Sequence, residues 1–385
     1  MKHFSGIFVL NRIIYKMKDK LSFLPKLALV LFCLISLTYV AILGQSLLAP
    51  LLFSFLMGIL LLPVANFLES RFKFKRGLSS IVSVIIMISL IGGIIYFFGN
   101  QLSDLWQDWP LLKKNAEESF TELNKWSKHS FNYDLENTTS YLKDSTEKAL
   151  ATSAAIVATT LATLSSTLLF LGFTLLFTFF ILNYRRVLFT FLTSVFKEEH
   201  KEKVSEIVSQ IQYIIKKYII GLFLQMLIVT VLMIAVLSLL GVKYAVLLGL
   251  VAGIFNVVPY LGIFFALLIS CLITFATAGA GKVLLVLIAF VGVHAIDGNI
   301  LMPLVVGSKV KINALIAFIG IIVGEMIWGI SGMFLCIPYL AMLKIIFDRV
   351  DTLKPWGLLM GEEHKPEKKK RVYRLTKKIK LEEKD

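Results

Sequence analysis

The stretch that decides the fold is Tyr244–Gly281, YAVLLGLVAGIFNVVPYLGIFFALLISCLITFATAGAG, 38 residues without one Asp, Glu, Lys, Arg or His. As one straight helix it would reach about 57 Å at 1.5 Å per residue, nearly twice the ~30 Å hydrocarbon core of a bilayer. It must therefore break, and Asn256-Val-Val-Pro259-Tyr260-Leu-Gly262 is where proline and glycine permit it. Ile312–Leu343 poses the same problem at about 48 Å, and its breaker is Trp328-Gly329-Ile-Ser-Gly332. Each is either a pair of full spans or a re-entrant hairpin; the arms, at or below the ~20 residues a full crossing needs, favour re-entrant or tightly broken hairpins. Both contain a Gly-x-x-x-Gly, Gly249/Gly253 and Gly320/Gly324, a spacing that lets helix backbones approach closely.

Outward from these hairpins the chain is that of a membrane protein. Hydrophobic residues make up 57% of it and the mean hydropathy is +0.80, above the range of soluble domains. Apolar runs at Leu27–Leu43, Leu47–Leu68, Leu78–Gly99 and Ala154–Leu182 are long enough, or nearly so, to cross as helices. The first reads as an uncleaved span: it is longer than a signal peptide's apolar region and no A-x-A site follows it. Val204, Ile207, Val208, Ile211, Ile214 and Ile215 recur at helical spacing opposite Glu198, Glu199, Glu202 and Glu206, an amphipathic helix that leads into the span Tyr218–Leu240.

Basic residues fix the orientation. Arg71, Lys73, Lys75 and Arg76 place the second loop in the cytoplasm, and Arg185, Arg186 and the lysines of 197–217 bring the chain back there. Residues 100–153 carry nine acids against six lysines, with Trp106, Trp109 and Trp126, and read as a mostly helical extracytoplasmic insertion. With both hairpins doubling back, Lys309, Lys311 and the basic tail all fall in the cytoplasm. The net charge of +15 sits largely at the two ends, where retention and anionic headgroups select it. No nucleic-acid-binding module accompanies it, so nucleic acid is not an expected partner; the bilayer is.

From Tyr244 to Leu343 only five formal charges occur: Lys282, Asp297, Lys309, Lys311 and Glu325. A carboxylate at membrane depth is costly and faces a partner, a cavity or a transport path. His294 and Asp297 are three apart and share a helical face. Asn299 adds an amide, and Pro303 frees a carbonyl one turn earlier. Carboxylate, imidazole, amide and free carbonyls suit a monovalent cation, a proton or a small polar solute. The alternative is that Asp297 lies near the cytoplasmic interface and pairs with Lys309 or Lys311. Glu325, just before Trp328-Gly329, either shares the transport site or marks an exposed hairpin tip. Asn256 with Pro259 either exposes carbonyls for ion coordination or forms an ordinary proline kink.

Enzyme chemistry finds no support. Ala278-Gly-Ala-Gly281-Lys282-Val283 resembles a phosphate loop only superficially, because no Ser or Thr follows the lysine. There is no H-E-x-x-H, G-x-S-x-G or C-x-x-C, so no catalytic residue, metal or cofactor is expected. Cys33, Cys271 and Cys336 lie in apolar runs, too far apart for a zinc site. Asn137-Thr-Thr139 matches a glycosylation acceptor and serves only as a topology reporter.

Three motifs carry a family resemblance: Asn256-Val-Val-Pro259-Tyr260-Leu-Gly262; Asp297-Gly-Asn299-Ile-Leu-Met-Pro303-Leu-Val-Val-Gly307; and Gly324-Glu325-Met-Ile-Trp328-Gly329-Ile-Ser-Gly332, continuing to Pro338. In this order they resemble the bacterial AI-2E (autoinducer-2 exporter) transporter family. Asp297 stands where the family often has Glu, keeping the charge with a shorter reach. The resemblance implies a secondary transporter of the inner membrane, an exporter of a small polar metabolite or an autoinducer-2-like signal, with sodium/proton antiport the nearest rival and a membrane scaffold a different class. It also implies a homo-oligomer.

The expected fold is all-α and polytopic, with about eight membrane-embedded segments. It divides into a basic cytoplasmic N-terminus (1–26), N-terminal spans (27–99), the extracytoplasmic insertion (100–153), a span (154–182), a cytoplasmic amphipathic helix (183–217), a C-terminal transport core (218–346) and a basic cytoplasmic tail (347–385). Asp297, Glu325, Asn256, Asn299 and His294 are the expected ion- or solute-binding residues. Pro259, Tyr260, Gly262, Pro303, Gly307, Gly329, Gly332 and Pro338 are the expected breaks of the core.

Overall fold

A computed structural model describes residues 23–131, 153–257, 261–306 and 312–361. Its helices are α1 (Phe23–Leu43), α2 (Gln45–Arg71), α3 (Arg76–Gln107), α4 (Trp109–Phe131), α5 (Ser153–Ser194), α6 (Glu198–Leu239), α7 (Ala245–Phe255) and α8 (Leu261–Ile296). A π-helix (Asp297–Val306), α9 (Ala314–Arg349), a 3-10 turn (Asp351–Leu353) and α10 (Lys354–Met360) follow. No strand occurs among the described residues. Seven helices are long and apolar enough to cross a membrane, and α7 is a shorter apolar helix. The all-α polytopic fold is therefore as expected. The predicted glycosylation acceptor Asn137 lies outside the described residues, as do Pro259, Tyr260, Gly307, Lys309 and Lys311.

The polar groups gather at two ends. At one, here the basic end, the Arg185 guanidinium donates to Glu69 at 2.8 Å and to Asn66 at 3.0 Å, Arg349 pairs with Glu206, and Lys203 lies 3.5 Å from Asp351. At the far end Lys243 pairs with Asp108 at 2.7 Å and Lys282 donates to the Gly241 carbonyl at 2.7 Å. Between them the helices present apolar side chains outward, as lipid demands, and buried hydroxyls bond back to carbonyls. Ser79 Oγ donates to Ala65 O of the neighbouring helix at 2.6 Å, and Thr178 Oγ1 to Thr174 O at 2.7 Å.

The central element is α6. The expected amphipathic helix and the span after it are one continuous helix of 42 residues, about 63 Å long. One stretch of α6 (Val229, Met233, Leu237) packs with α7 and both arms of α8 around Phe290 and Leu248. A stretch nearer the basic end (Ile215, Ile219, Leu222) packs with α2 and α9. A third core joins α2, α3 and α5 through Leu61, Ala65, Val84, Met87 and Leu182. Gly249 and Gly253 set α7 against the α6 backbone: a Cβ at Gly249 would lie 2.8 Å from Ile234 N, and one at Gly253 2.9 Å from Met226 O. That is the close approach their spacing predicts.

Contacts show that the first apolar stretch doubles back. α7 leaves the far end at Tyr244 and runs only 11 residues, about 16 Å. The chain turns tightly there, since a Cβ at Gly262 would fall on the Phe255 carbonyl oxygen. α8 then climbs back, because Lys282 meets Gly241 at the far end. It reverses at Gly279, whose φ of 75° is open to glycine and disfavoured for other residues, and descends again.

α9 is the second hairpin. Its helical dihedrals fail at Trp328 (φ −137°) and Gly329 (φ 59°), and the arms lie side by side. A Cβ at Gly324 would sit 2.5 Å from Gly332 O, and one at Gly320 2.5 Å from Cys336 Sγ. The tip reaches α1, where Trp328 Nε1 donates to Ala41 O at 2.8 Å. Two of the expected breaks take other roles. The helix continues through the buried Pro338, and Gly332 is the contact between arms rather than a bend.

α3 continues past position 100 to Gln107. α4 then lies along α8. Trp106 and Trp109 are exposed and stacked, with ring centroids 6.3 Å apart.

Candidate functional site

Three elements converge on one carboxylate. Gln225 projects from α6, Asn256 closes α7 as its C-terminal cap, and Asp297 opens the π-helix. Gln225 Nε2 donates to Asp297 Oδ1 at 2.8 Å and to Oδ2 at 3.0 Å, while Asn256 Nδ2 donates to Oδ2 at 3.2 Å. All three are buried: Asp297 is 5% exposed, Gln225 7% and Asn256 7%. Gln225 precedes the α6 terminus at Leu239 by about 21 Å along the axis, so the cluster lies deep within the bundle.

Local sequence explains why the carboxylate can sit there. The re-entrant arm α7 is too short to cross, so its last residue, Asn256, is delivered to the interior rather than to a surface. On the other side the α-helix gives way to a π-helix at Asp297. Pro303, which has no N–H to offer, and Gly298 lie within that π-helix. π-helical turns recur at functional sites and free backbone carbonyls from the regular ladder.

Chemically, the carboxylate is held by neutral amides. Both neighbours donate, so each carboxylate oxygen carries at least one hydrogen bond. Yet no lysine or arginine among the described residues pairs with it. A buried carboxylate held by neutral amides, with no cation paired to it among the described residues, suits a proton, a monovalent cation or a hydroxyl-bearing solute.

The other expected residues are placed less uniformly. His294 is one helical turn from Asp297; its ring packs 5.9 Å from that of Phe290, and Nδ1 and Nε2 are both buried with no hydrogen-bond partner among the described residues. Asn299 is exposed and donates to Ala295 O, one turn earlier at the end of α8, at 2.8 Å, away from the carboxylate. Glu325 is exposed on the first arm of α9, which packs on α1, α2 and α6 rather than on α8 or the π-helix. The structure therefore joins Asn256 and Asp297 and leaves Glu325 apart. No group of three or more His, Cys, Asp or Glu residues able to hold a metal occurs among the described residues.

Sequence reasoning missed Gln225. The signal was present: in Tyr218–Leu240 it is the only side-chain amide, and a buried amide at membrane depth requires a partner. Nothing in the linear pattern identifies that partner as Asp297, 72 residues away.

Residues 31–351 match the AI-2E family transporter profile. Among curated relatives, "Putative transport protein YrrI" of Bacillus subtilis (strain 168) is 35% identical over 106 residues, which is 28% of this chain and 30% of that protein. "AI-2 transport protein TqsA" of Escherichia coli (strain K12) is 27% identical over 131 residues, 34% of this chain and 38% of that protein. A "Putative transport protein" of Alkalihalophilus pseudofirmus is 22% identical over 302 residues, 74% and 77% of the two chains. The first of these matches spans less than a third of its relative's length. With a profile match over most of the chain and seven helices able to cross a membrane, this is a multi-pass membrane protein that belongs to the AI-2E transporter family.

Proposed function

We propose that this chain is a secondary transporter of the bacterial inner membrane that exports a small polar solute, of the autoinducer-2 kind, by alternating access around Asp297. The observation that carries the reading is the buried Asp297 carboxylate held by Gln225 and Asn256 with no cation paired to it among the described residues. Asp297 binds the solute hydroxyl or the coupling ion, the two amides fix its orientation, and His294 stands one turn away as a second proton acceptor. The α7–α8 hairpin brings Asn256 to the carboxylate, so movement of the hairpin opens or closes the site. No nucleotide motif is present, and the driving force is an ion gradient or the gradient of the solute itself. The basic end faces the cytoplasm with both termini, and α4 lies outside, as the positive-inside rule requires.

The buried carboxylate, with no cation paired to it among the described residues, favours one rival, sodium/proton antiport. Everted vesicles separate the two. Solute export predicts solute accumulation in the vesicles that Asp297→Asn abolishes, with no response to sodium alone. A pH gradient that collapses on adding sodium or lithium, and no longer does so in Asp297→Asn, assigns antiport instead. Solute accumulation and ion response both unchanged in Asp297→Asn would remove the site from the mechanism.

A further inference from the structure

The far end of the bundle is held by a polar junction separate from the Asp297 cluster. α3 ends at Gln107 and α4 begins at Trp109, which leaves Asp108 as the single residue between them. Asp108 Oδ2 accepts a hydrogen bond from Lys243 Nζ at 2.7 Å and another from the Tyr244 hydroxyl. Both donors lie in the α6–α7 turn, where Gly241 and Tyr244 each have φ of 62°. Left-handed backbone is ordinary for glycine and uncommon for an aromatic residue, so Tyr244 is held in place by more than its local preference. From the opposite side Lys282 donates to the Gly241 carbonyl.

This turn is where the arms of the site are attached. α7 starts directly after Tyr244 and ends at Asn256. The descending arm of α8 is tied to the turn through Lys282 and leads to Asp297. α4, joined to α3 through Asp108, lies along α8, with Ser119 Oγ 3.8 Å from where a Cβ of Gly279 would stand. One carboxylate thus pins the start of α4 and the start of α7 together, above the point where α8 reverses.

We propose that Asp108, Lys243 and Tyr244 form a far-side latch that positions both site-bearing arms and holds α4 over their reversal, so that access to Asp297 from the far end requires the latch to open. The inference rests on reading Asp297 as the transport site. A half-exposed ion pair is weak in water, which suits a contact that breaks and re-forms once per cycle. Lys243, and then Tyr244, hold the Asp108 carboxyl below the usual carboxylate range, and Asp108 in turn raises Lys243. A depressed carboxylate loses its pairing only as pH falls through the lowered value, so near neutrality the latch opens mechanically and not by titration.

The test uses the full chain with Cys33, Cys271 and Cys336 replaced by alanine and a reporter, Asn256→Cys, labelled by a membrane-impermeant thiol reagent. Asp108→Asn should raise far-side labelling at least tenfold and leave basic-side labelling unchanged. The exchanged pair Asp108→Lys with Lys243→Asp should restore the original rate, separating the ion pair from a folding defect. In a second chain Asp108→Cys and Lys243→Cys, joined by a short thiol cross-linker, should stop solute flux until the cross-link is cleaved. Equal far-side labelling with and without the latch, or undiminished flux while cross-linked, would overturn the proposal. Flux of Asp297→Asn in the same background reports separately on the site. If that variant transports normally, the site reading falls, while labelling still decides the latch.

Discussion

Asp297 is the residue on which the proposed transport chemistry turns, and its surroundings set clear expectations. Gln225 supplies two of its three hydrogen bonds among the described residues. Replacing Gln225 by leucine removes the amide and leaves Asn256 as the one donor to the carboxylate among the described residues. The cost is about 1–3 kcal/mol for an under-satisfied buried group, read as a lower Tm of the detergent-purified protein, together with at least a tenfold loss of flux. Asn299→Ala should leave both nearly unchanged, because that amide is exposed and bonded to Ala295 O, one turn earlier; a loss matching that of Gln225→Leu would place Asn299 in the site after all.

How much of this cluster could be read in advance follows from the chemistry of each member. Asp297 is visible because a charge in an apolar run has few explanations. Asn256 is visible because it adjoins a forced break. Gln225 carries no charge and sits in an unbroken helix, so its importance emerges only when α6 and the π-helix are brought together. Glu325 shows the converse: it has the same sequence signature as Asp297, but its hairpin packs on another part of α6.

The hairpins were legible from length alone, since 38 uncharged residues cannot cross once and remain in register with the basic loops. What length could not reveal was the internal contact of each. In α9 the bend comes from Trp328-Gly329, while Gly324 and Gly332 allow the arms to touch. Gly332→Val puts branched carbons into the Gly324 backbone and should destabilise by about 3 kcal/mol, seen as loss of folded protein in detergent. Gly298→Ala, where no atom of the described residues outside the local backbone lies within 4 Å of the new Cβ, should be tolerated. Equal tolerance of both would mean that the arms are not packed as described.

Asn313 makes a similar case at the basic end. Its Oδ1 caps α9 by accepting from Ile316 N at 2.8 Å, and its Nδ2 donates to Leu359 O at 2.6 Å. Its backbone N–H reaches Met360 O at 2.9 Å, fastening α10 beneath the hairpin. Asn313→Ala should cost about 1–2 kcal/mol through the lost cap and the lost strap, again measured as a fall in Tm. No change would show that α10 is not tethered there.

Taken whole, the molecule is organised by α6, which carries the α7–α8 hairpin on one stretch and the α9 hairpin with α2 on another. Its uninterrupted length was the part least legible in sequence. The charged first turns and the apolar remainder read as two elements, whereas one helix links the basic end to the site. The helix runs from the basic end to Gln225 as one unbroken element. Orientation is tested by cysteines on exposed positions: one at Glu118 should label from outside the cell and one at His200 should not. The reverse pattern would invert the assignment of both ends.

The most direct measurement is flux of a small polar solute through proteoliposomes holding purified wild-type, Asp297→Asn or Gln225→Leu protein, each first shown to be folded by its melting profile. Transport by the wild type, abolition in Asp297→Asn and at least a tenfold loss in Gln225→Leu are the predicted results. Folded Asp297→Asn protein that transports at the wild-type rate would contradict the assignment of this buried carboxylate as the transport site.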